Sequence, residues 1–433
     1  MDQERSPLHY VQIDEKRCIG CVLCMKACPS KAIRVRDLKV AEIVGTCIDC
    51  GECIRVCPRG AVKAITTGSD PSTLSRYTII SASPVLYAQF GEEVMPNEVL
   101  LALRRSFKYV YDQAHIHELY NVAVGLQIKE NRGKEGVVRP LISPVCPVVN
   151  RLIGYRFPSL LKNIIPIVTP REIAARELKR RLYCDKVFDT SEFGVYHITP
   201  CSAKMVSIKD PMFLKSSYLD GALGINEVYE LIKKNLRDLE EDMMLHRSSG
   251  VGIGWGVSGG EIAGIEEGNY LAVSGLEETI RYLEKIEMGL FNNIEYFEFR
   301  ACLEGCIGGP LTVADRYEAK RTVAKFVRMF GQEKRLKYAQ AQKAYQEGWF
   351  HSEIKITPAD AKNRLPLSEA IERQERIEEV FRMLPGKECG LCGSPDCRSF
   401  AEDVADAMVS LDHCVLLNLK NRGEGKREGR RNS

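Results

Sequence analysis

The strongest constraint on this chain is a cysteine pattern written twice near the N-terminus. Cys18-Ile-Gly-Cys21-Val-Leu-Cys24-Met-Lys-Ala-Cys28-Pro29 is followed by Cys47-Ile-Asp-Cys50-Gly-Glu-Cys53-Ile-Arg-Val-Cys57-Pro58, and both read C-x2-C-x2-C-x3-C-P. Three thiolates at this spacing cup one corner of an iron–sulfur cubane, and the fourth crosses over to the other cluster. One [4Fe–4S] cluster is therefore expected on Cys18, Cys21, Cys24 and Cys57, and a second on Cys47, Cys50, Cys53 and Cys28. Thiolates hold zinc as well as iron, so a pair of zinc sites is the alternative. The duplication, with a proline after each fourth cysteine, favours iron. Two clusters at opposite ends of a small unit make a relay, not a catalytic site.

The chain has 433 residues and seventeen cysteines, enough length for roughly two to four domains. MDQERSPLHYVQID carries no apolar segment, so no signal peptide is expected, and no run approaches the roughly 18 apolar residues of a membrane span. A cytoplasmic, reducing setting is expected, in which cysteines bind metal rather than pair. A net charge of +3 gives no reason to expect a nucleic-acid partner.

The fold class expected is α/β, in several parts. Residues 1–70 read as a bacterial-type two-cluster ferredoxin domain, closed by the turn-forming stretch Gly68–Ser72. Residues 71–314 alternate strand-like runs (Tyr77–Ala82, Val195–Ile198, Val251–Trp255, Tyr296–Phe299) with helical runs (Asn97–Phe107, Pro170–Arg181, Ile225–Leu239, Glu277–Gly289). That alternation predicts a two-lobed α/β body with parallel strands. Residues 315–383 read as a charged helical connector (Tyr317–Phe330, Gln332–Glu347, Ser368–Met383), 384–418 as a small four-cysteine domain, and 419–433 as a disordered basic tail.

In the C-terminal domain, Cys389-Gly-Leu-Cys392-Gly-Ser-Pro-Asp-Cys397 brings three thiolates together, and a helix over Arg398–Leu411 returns Cys414. A further [4Fe–4S] cluster is expected there, with structural zinc as the alternative; His413 reads as a packing or hydrogen-bonding residue. Four central cysteines sit in short motifs: Ser143-Pro-Val-Cys146-Pro147, Ile198-Thr-Pro200-Cys201-Ser-Ala-Lys204, and Arg300-Ala-Cys302-Leu-Glu-Gly305-Cys306-Ile-Gly308-Gly309. Wide separation in loops at strand ends suggests a buried cluster between two lobes. Cys184 reads as a buried structural thiol. Gly254-Trp-Gly256-Val-Ser-Gly259 matches a dinucleotide fingerprint, but a lone match of this kind is weak.

The three central motifs resemble the signatures TSCCP, MPCxxK and ACxxGC of the [FeFe] hydrogenases, in the same order and at compatible spacing. The resemblance covers about residues 1–310 and implies an H-cluster: a [4Fe–4S] cubane whose bridging cysteine carries a two-iron subsite with CO and cyanide. Cys146, Cys201, Cys302 and Cys306 match the cubane ligands, Cys306 matches the bridging thiolate, and Lys204 matches the lysine that hydrogen-bonds a cyanide. Pro84 and Pro200 match positions whose backbone wraps the subsite. The implied partners are H2 and protons, hydrogenase maturation proteins, and a redox or signalling protein. No membrane partner is implied, and a homodimer is one assembly the chain is read to allow.

The departures from the family pattern matter as much. The proton-relaying cysteine before the first ligand is Val145, and a glutamate three residues after the matched lysine is Ser207. Two methionines flanking the subsite are Thr199 and Arg300, and a glutamine near it is Arg171. A serine expected before Thr169-Pro170 falls in the apolar stretch Ile164–Val168. Acid–base relays need groups that gain and lose protons in sequence, so low turnover is expected. The chain most resembles the divergent sensory branch without a PAS domain, often called group D. A catalytic ferredoxin-linked hydrogenase, an assembly scaffold lacking the two-iron subsite, and a plain electron carrier are the competing readings.

Overall fold

The computed structural model describes residues 9–36, 40–70, 72, 74–134, 136–184, 193–239, 243–354 and 366–419. The basic tail beyond Leu419 and the side chain of Cys184 lie outside the described residues.

Eleven strands form four sheets among the described residues. Strands β1 (Val11–Ile13), β2 (Ile33–Arg36), β3 (Val40–Ile43) and β4 (Val62–Ala64) belong to the cysteine-dense block. There β1 pairs antiparallel with β4, and β2 with β3. The body contributes β5 (Tyr77–Ala82), β6 (Tyr109–Asp112), β7 (Leu141–Ile142), β8 (Phe193–Thr199), β9 (Gly221–Gly224), β10 (Tyr270–Ser274) and β11 (Tyr296–Arg300). One lobe is a parallel sheet ordered β6-β5-β8-β9, the other a parallel sheet ordered β10-β11-β7. Every residue of β8 and β11 is buried, as expected of central parallel strands covered on both faces.

Open parallel sheets bind ligands outside the carboxyl ends of their strands. The body follows that rule on both lobes. Ser83 and Pro84 follow β5, Gln113 follows β6, Cys146 lies shortly past β7, Cys201 past β8 and Cys302 past β11. The strand ends thus deliver all the central motifs to one place.

Two of the differences from the sequence expectation bear on the site. Val251–Trp255 is not a strand; Gly250–Gly254 is a short helix started by the Ser249 hydroxyl, which accepts from the Val251 N–H at 3.2 Å. Its glycines allow close approach: a Cβ on Gly252 would sit 2.3 Å from the Ala114 carbonyl oxygen. The long helix Ala114–Asn131 gave no sequence signal. Ile116, Tyr120, Val122, Ala123 and Val124 are all buried, so its apolar residues run around the circumference and leave no single stripe to detect.

The helical stretch after residue 315 packs onto the body. Ala319, Val323 and Phe326 of the helix Arg316–Phe330 join the core around β5 and β8. Tyr345 and Phe350 join the core around β11, and the Val168 N–H donates to the Phe350 carbonyl at 2.8 Å. In the C-terminal unit, Ile377 and Val380 of the helix Leu367–Met383 pack on Phe400 and Ala401 of the helix Cys397–Ala405.

The C-terminal unit docks on the cysteine-dense block through a buried ionic clamp. Asp403 accepts from Arg34 Nε at 2.6 Å, Arg34 Nη2 at 3.0 Å, Arg36 Nη2 at 2.5 Å and Ser394 Oγ at 2.8 Å. The Val35 N–H donates to the Gly393 carbonyl at 2.9 Å, and a Cβ on Gly393 would clash with the Val35 carbonyl at 2.2 Å. On the other side, Arg151 of the body pairs with buried Asp49 at 2.9 Å and donates to the Cys47 carbonyl at 2.6 Å.

Candidate functional site: four cysteine groups and a cationic cavity

Sixteen cysteines stand as free thiols among the described residues, in four groups. Cys18, Cys21, Cys24 and Cys57 line one pocket. Cys28 interacts electrostatically with Cys47, Cys50 and Cys53. Cys389, Cys392, Cys397 and Cys414 line another pocket. His413, beside that last set, bonds Ser410 Oγ through Nδ1 at 3.2 Å. Cys302 interacts with Cys201, Cys146 and Cys306 in the same way, closing the central group.

Burial pushes the Cys24 thiol up to about 11 and those of Cys47 and Cys302 up to about 12. Bare, these thiols stay protonated near neutrality; binding iron would draw out the thiolates and release protons. Among the described residues no three His, Cys, Asp or Glu side chains close on a point as they would around a single ion.

The central group opens onto a small cavity walled by Ser83, Pro84, Val85, Gln113, His117, Val145, Pro170, Arg171, His197, Lys204, Trp255, Gly256 and Cys306. Of the four central cysteines only Cys306 lines it. Two cations, Lys204 and Arg171, face this space, and no carboxylate is among its lining residues. Both are buried, Lys204 at 7 % exposure and Arg171 at 6 %. Burial pushes His117 down to about 3 and His197 well below its usual value, so both imidazoles are neutral. Arg171 Nε has no hydrogen-bond partner, while the His197 and His117 rings lie against the backbone of Ser81 and Ala114. Glu172, behind the wall, offsets part of the Arg171 charge; buried cations with donors to spare are costly, and an anionic group bearing acceptors would complement the rest.

Arg171 also ties together two positions singled out in the sequence. Its Nη1 donates to the Val145 carbonyl at 3.3 Å and its Nη2 to Ser207 Oγ at 2.9 Å, while Ser207 Oγ donates to the Lys204 carbonyl at 2.8 Å.

Four expected site residues stand behind the wall rather than on it. Thr199 Oγ1 accepts from the Cys201 N–H at 3.2 Å and donates to the Cys201 carbonyl at 2.9 Å, shaping that cysteine's loop. The Pro200 carbonyl accepts from the Leu311 N–H at 2.9 Å. Ser207 lies under Arg171, as above. Arg300 stands behind the Trp255 ring: it pairs with Glu261 at 2.7 Å, has Glu298 at 3.6 Å, lies over that ring at 4.8 Å, and still interacts electrostatically with Cys306. Burial pushes Glu298 up, opposed by Arg300.

Sequence reasoning missed Gln113, His117, His197 and Trp255 as wall residues. His117 packs on Trp255 with ring centroids 4.3 Å apart, and Trp255 Nε1 donates to Asn121 Oδ1 at 3.0 Å. Trp255 and Gly256 belong to the glycine-rich fingerprint, which here cradles the Cys302–Cys306 loop. The Cys306 N–H donates to the Gly256 carbonyl at 2.8 Å, and Gly305, at φ +90, would place a Cβ 2.6 Å from the Ser258 nitrogen. The pair of histidines near Gln113 was the only available signal, and a lone buried histidine carries little.

Residues 76–310 match the family described as iron-only hydrogenase large subunit, C-terminal domain. The chain belongs to that family. Residues 10–58 of this hydrogenase-family chain match a 4Fe-4S dicluster domain, and residues 384–416 a domain described as a putative Fe-S cluster. The periplasmic [Fe] hydrogenase large subunit of Nitratidesulfovibrio vulgaris is 25% identical over 407 residues, covering 78% of this chain and 94% of that protein. A corrinoid/iron-sulfur protein large subunit of Moorella thermoacetica is 42% identical over 40 residues, 9% of each chain. Among solved structures, the fold matches a variant of the [FeFe]-hydrogenase HydA1 of Chlamydomonas reinhardtii with a TM-score of 0.52 at 15% identity, covering 65% of this chain and 94% of that one. Among the described residues no helix is long and apolar enough to cross a membrane.

Proposed function

We propose that this chain is a hydrogen-responsive H-cluster protein of low turnover, whose redox state passes through its [4Fe–4S] clusters to a signalling partner. The observation that carries the reading is the Arg171 guanidinium, held between the Val145 carbonyl and the Ser207 hydroxyl on the wall of a cavity shared with Lys204.

When bound, the cluster supplies the splitting of H2 into protons and electrons. Cys146, Cys201, Cys302 and Cys306 would hold the cubane, and Cys306, alone in facing the cavity, would be shared with the two-iron subsite. Lys204 and Arg171 offer charge and donors to its cyanide ligands. Pro84 and Val145 wall the space and exclude water.

Proton transfer is the step this wall hinders. Val145 carries no exchangeable proton. The Ser207 hydroxyl is already engaged on both sides. Arg171 stays protonated at any working pH, so it repels an arriving proton instead of relaying it. Electrons have a better route. The Cys47 cluster would abut the body at Asp49 and Arg151. The Cys18 cluster would lie beside Val35, which both lines its pocket and bonds the C-terminal unit. The order from the cavity outward is then central cubane, Cys47 cluster, Cys18 cluster, C-terminal cluster.

Infrared spectroscopy of anaerobically matured protein tests the reading. CO and cyanide bands that shift under H2, with turnover orders below that of a catalytic hydrogenase, are expected. Fast turnover would overturn the sensory reading in favour of a catalytic one. No bands, with active maturation proteins present, would leave a scaffold or an electron carrier.

A further inference from the structure

The doubled cysteine run carries a second symmetry beyond its cysteines. The residue midway between the third and fourth cysteine is basic in both copies: Lys26 in the first, Arg55 in the second. Each lies on the short helix of its copy, Leu23–Ala27 or Glu52–Val56, and each helix is entered through a left-handed residue, Val22 or Gly51. Equivalent local geometry aims the two side chains outward in equivalent ways, and both end on the cysteine-bearing loop of a neighbouring domain. Lys26 Nζ donates to the carbonyls of Glu388 and Pro395, both at 3.0 Å, which bracket Cys389 and Cys392. Arg55 Nη2 donates to Cys302 Sγ at 3.2 Å and to the Gly308 carbonyl, and its Nη1 pairs with Glu52.

The joint is closely fitted at both ends. At Gly51, φ +77, an added Cβ would lie 2.5 Å from Pro310 Cγ; at Gly390, φ +74, one would lie 2.8 Å from Lys26 Nζ. The Pro310 ring cannot yield to a side chain at Gly51, and the left-handed backbone at both positions favours glycine. Arg55 is the group that crosses the boundary to a cysteine sulfur of the central set.

We infer that Lys26 and Arg55 are the paired docking pins of the relay, and that Arg55, through its N–H to Cys302 sulfur, is a positioning residue that raises the potential of the central cubane. The inference rests on the assignment of Cys302 to that cubane made above. A hydrogen bond from a fixed cation to a cluster thiolate stabilises the more negative, reduced state, so it raises the potential. The fork of Arg55 holds Glu52 through Nη1 while Nη2 serves both Cys302 and Gly308, and the single nitrogen of a lysine cannot reach across that pair of prongs.

The test uses full-length protein carrying its [4Fe–4S] clusters but no two-iron subsite, titrated by EPR. In Arg55→Gln the midpoint of the central cubane is expected to shift to lower potential while the ferredoxin pair stays in place. Lys26→Met is expected to leave the central cubane unmoved and to weaken the magnetic coupling between the C-terminal and first ferredoxin clusters. If Arg55→Gln does not take up its clusters, Arg55→Lys decides: the charge stays, the fork is lost, and a smaller shift of the same sign is expected. An unmoved central midpoint in the variant that assembles overturns the inference. Absence of a central cubane in the unmodified protein overturns instead the site assignment beneath it, and the two failures are distinct.

Discussion

Replacing Asp403 with asparagine should release the C-terminal cluster unit from the ferredoxin-like block without unfolding either. The carboxylate accepts four hydrogen bonds, three of them from the guanidinium groups of Arg34 and Arg36. Arg34 and Asp403 side chains are 5 % and 4 % exposed. Removing one partner of a buried pair costs about 3–5 kcal/mol, because the other charge is left buried and uncompensated. The Asp403→Asn side chain would keep the shape and some of the hydrogen bonds, which puts the expected loss at the lower end, about 3 kcal/mol. With tenfold per 1.4 kcal/mol, opening of the joint should rise by roughly a hundredfold. Native-state hydrogen exchange reads this directly. The amides of Val35 and of the Gly390–Ser394 loop should lose about two orders of magnitude of protection, while β5, β8 and β11 keep theirs. Magnetic coupling between the C-terminal and first ferredoxin clusters should weaken in parallel. Unchanged protection of Val35 would show that the clamp does not hold the joint, and the outward order of clusters argued above would lose its support.

Three further outcomes are expected. Val145→Cys combined with Arg171→Gln should raise H2 turnover by about a hundredfold or more, the usual worth of a restored proton donor; equal rates would mean that protons travel elsewhere. Cys28→Ser should cost the cluster of the second cysteine run and spare that of the first, as cluster-resolved EPR would show; loss of the first cluster would refute the crossed assignment. The cluster-free chain should lose stability as pH falls below about 6.5, because the His117 pKa lies at about 3 when folded and near 6.5 when unfolded. Between those values only the unfolded chain binds the proton, so protonation favours unfolding. At about pH 5 the cost from His117 is about 2 kcal/mol, and His117→Gln should flatten denaturation midpoints between about pH 6.5 and 5.

Much of this architecture was readable from residue order. The spacing within each cysteine run limits which thiolates can reach one another, and the structure gathers Cys57 with Cys18, Cys21 and Cys24 as that spacing requires. Alternating strand and helix runs foretold two parallel lobes, because a buried parallel strand such as β8 must be apolar on both faces. The helix Gly250–Gly254 was misread as a strand because its glycines answer to packing against Ala114 and not to a local period. Spacing and period are local properties, and the chain by itself determined what depends on them.

Only the tertiary structure decided what the cavity wall contains. His117 comes from the helix after β6, His197 from within β8 and Trp255 from the glycine-rich turn, and nothing in their spacing marks them as neighbours. The resemblance places Arg171 where the family has a glutamine near the subsite; its place between Val145 and Ser207 exists because three separate elements converge. Arg300 was expected beside the subsite; it stands one layer back, behind the Trp255 ring and paired with Glu261, within electrostatic reach of Cys306. A buried charge goes where its compensation is, and that compensation is assembled from distant parts of the chain only when the lobes close.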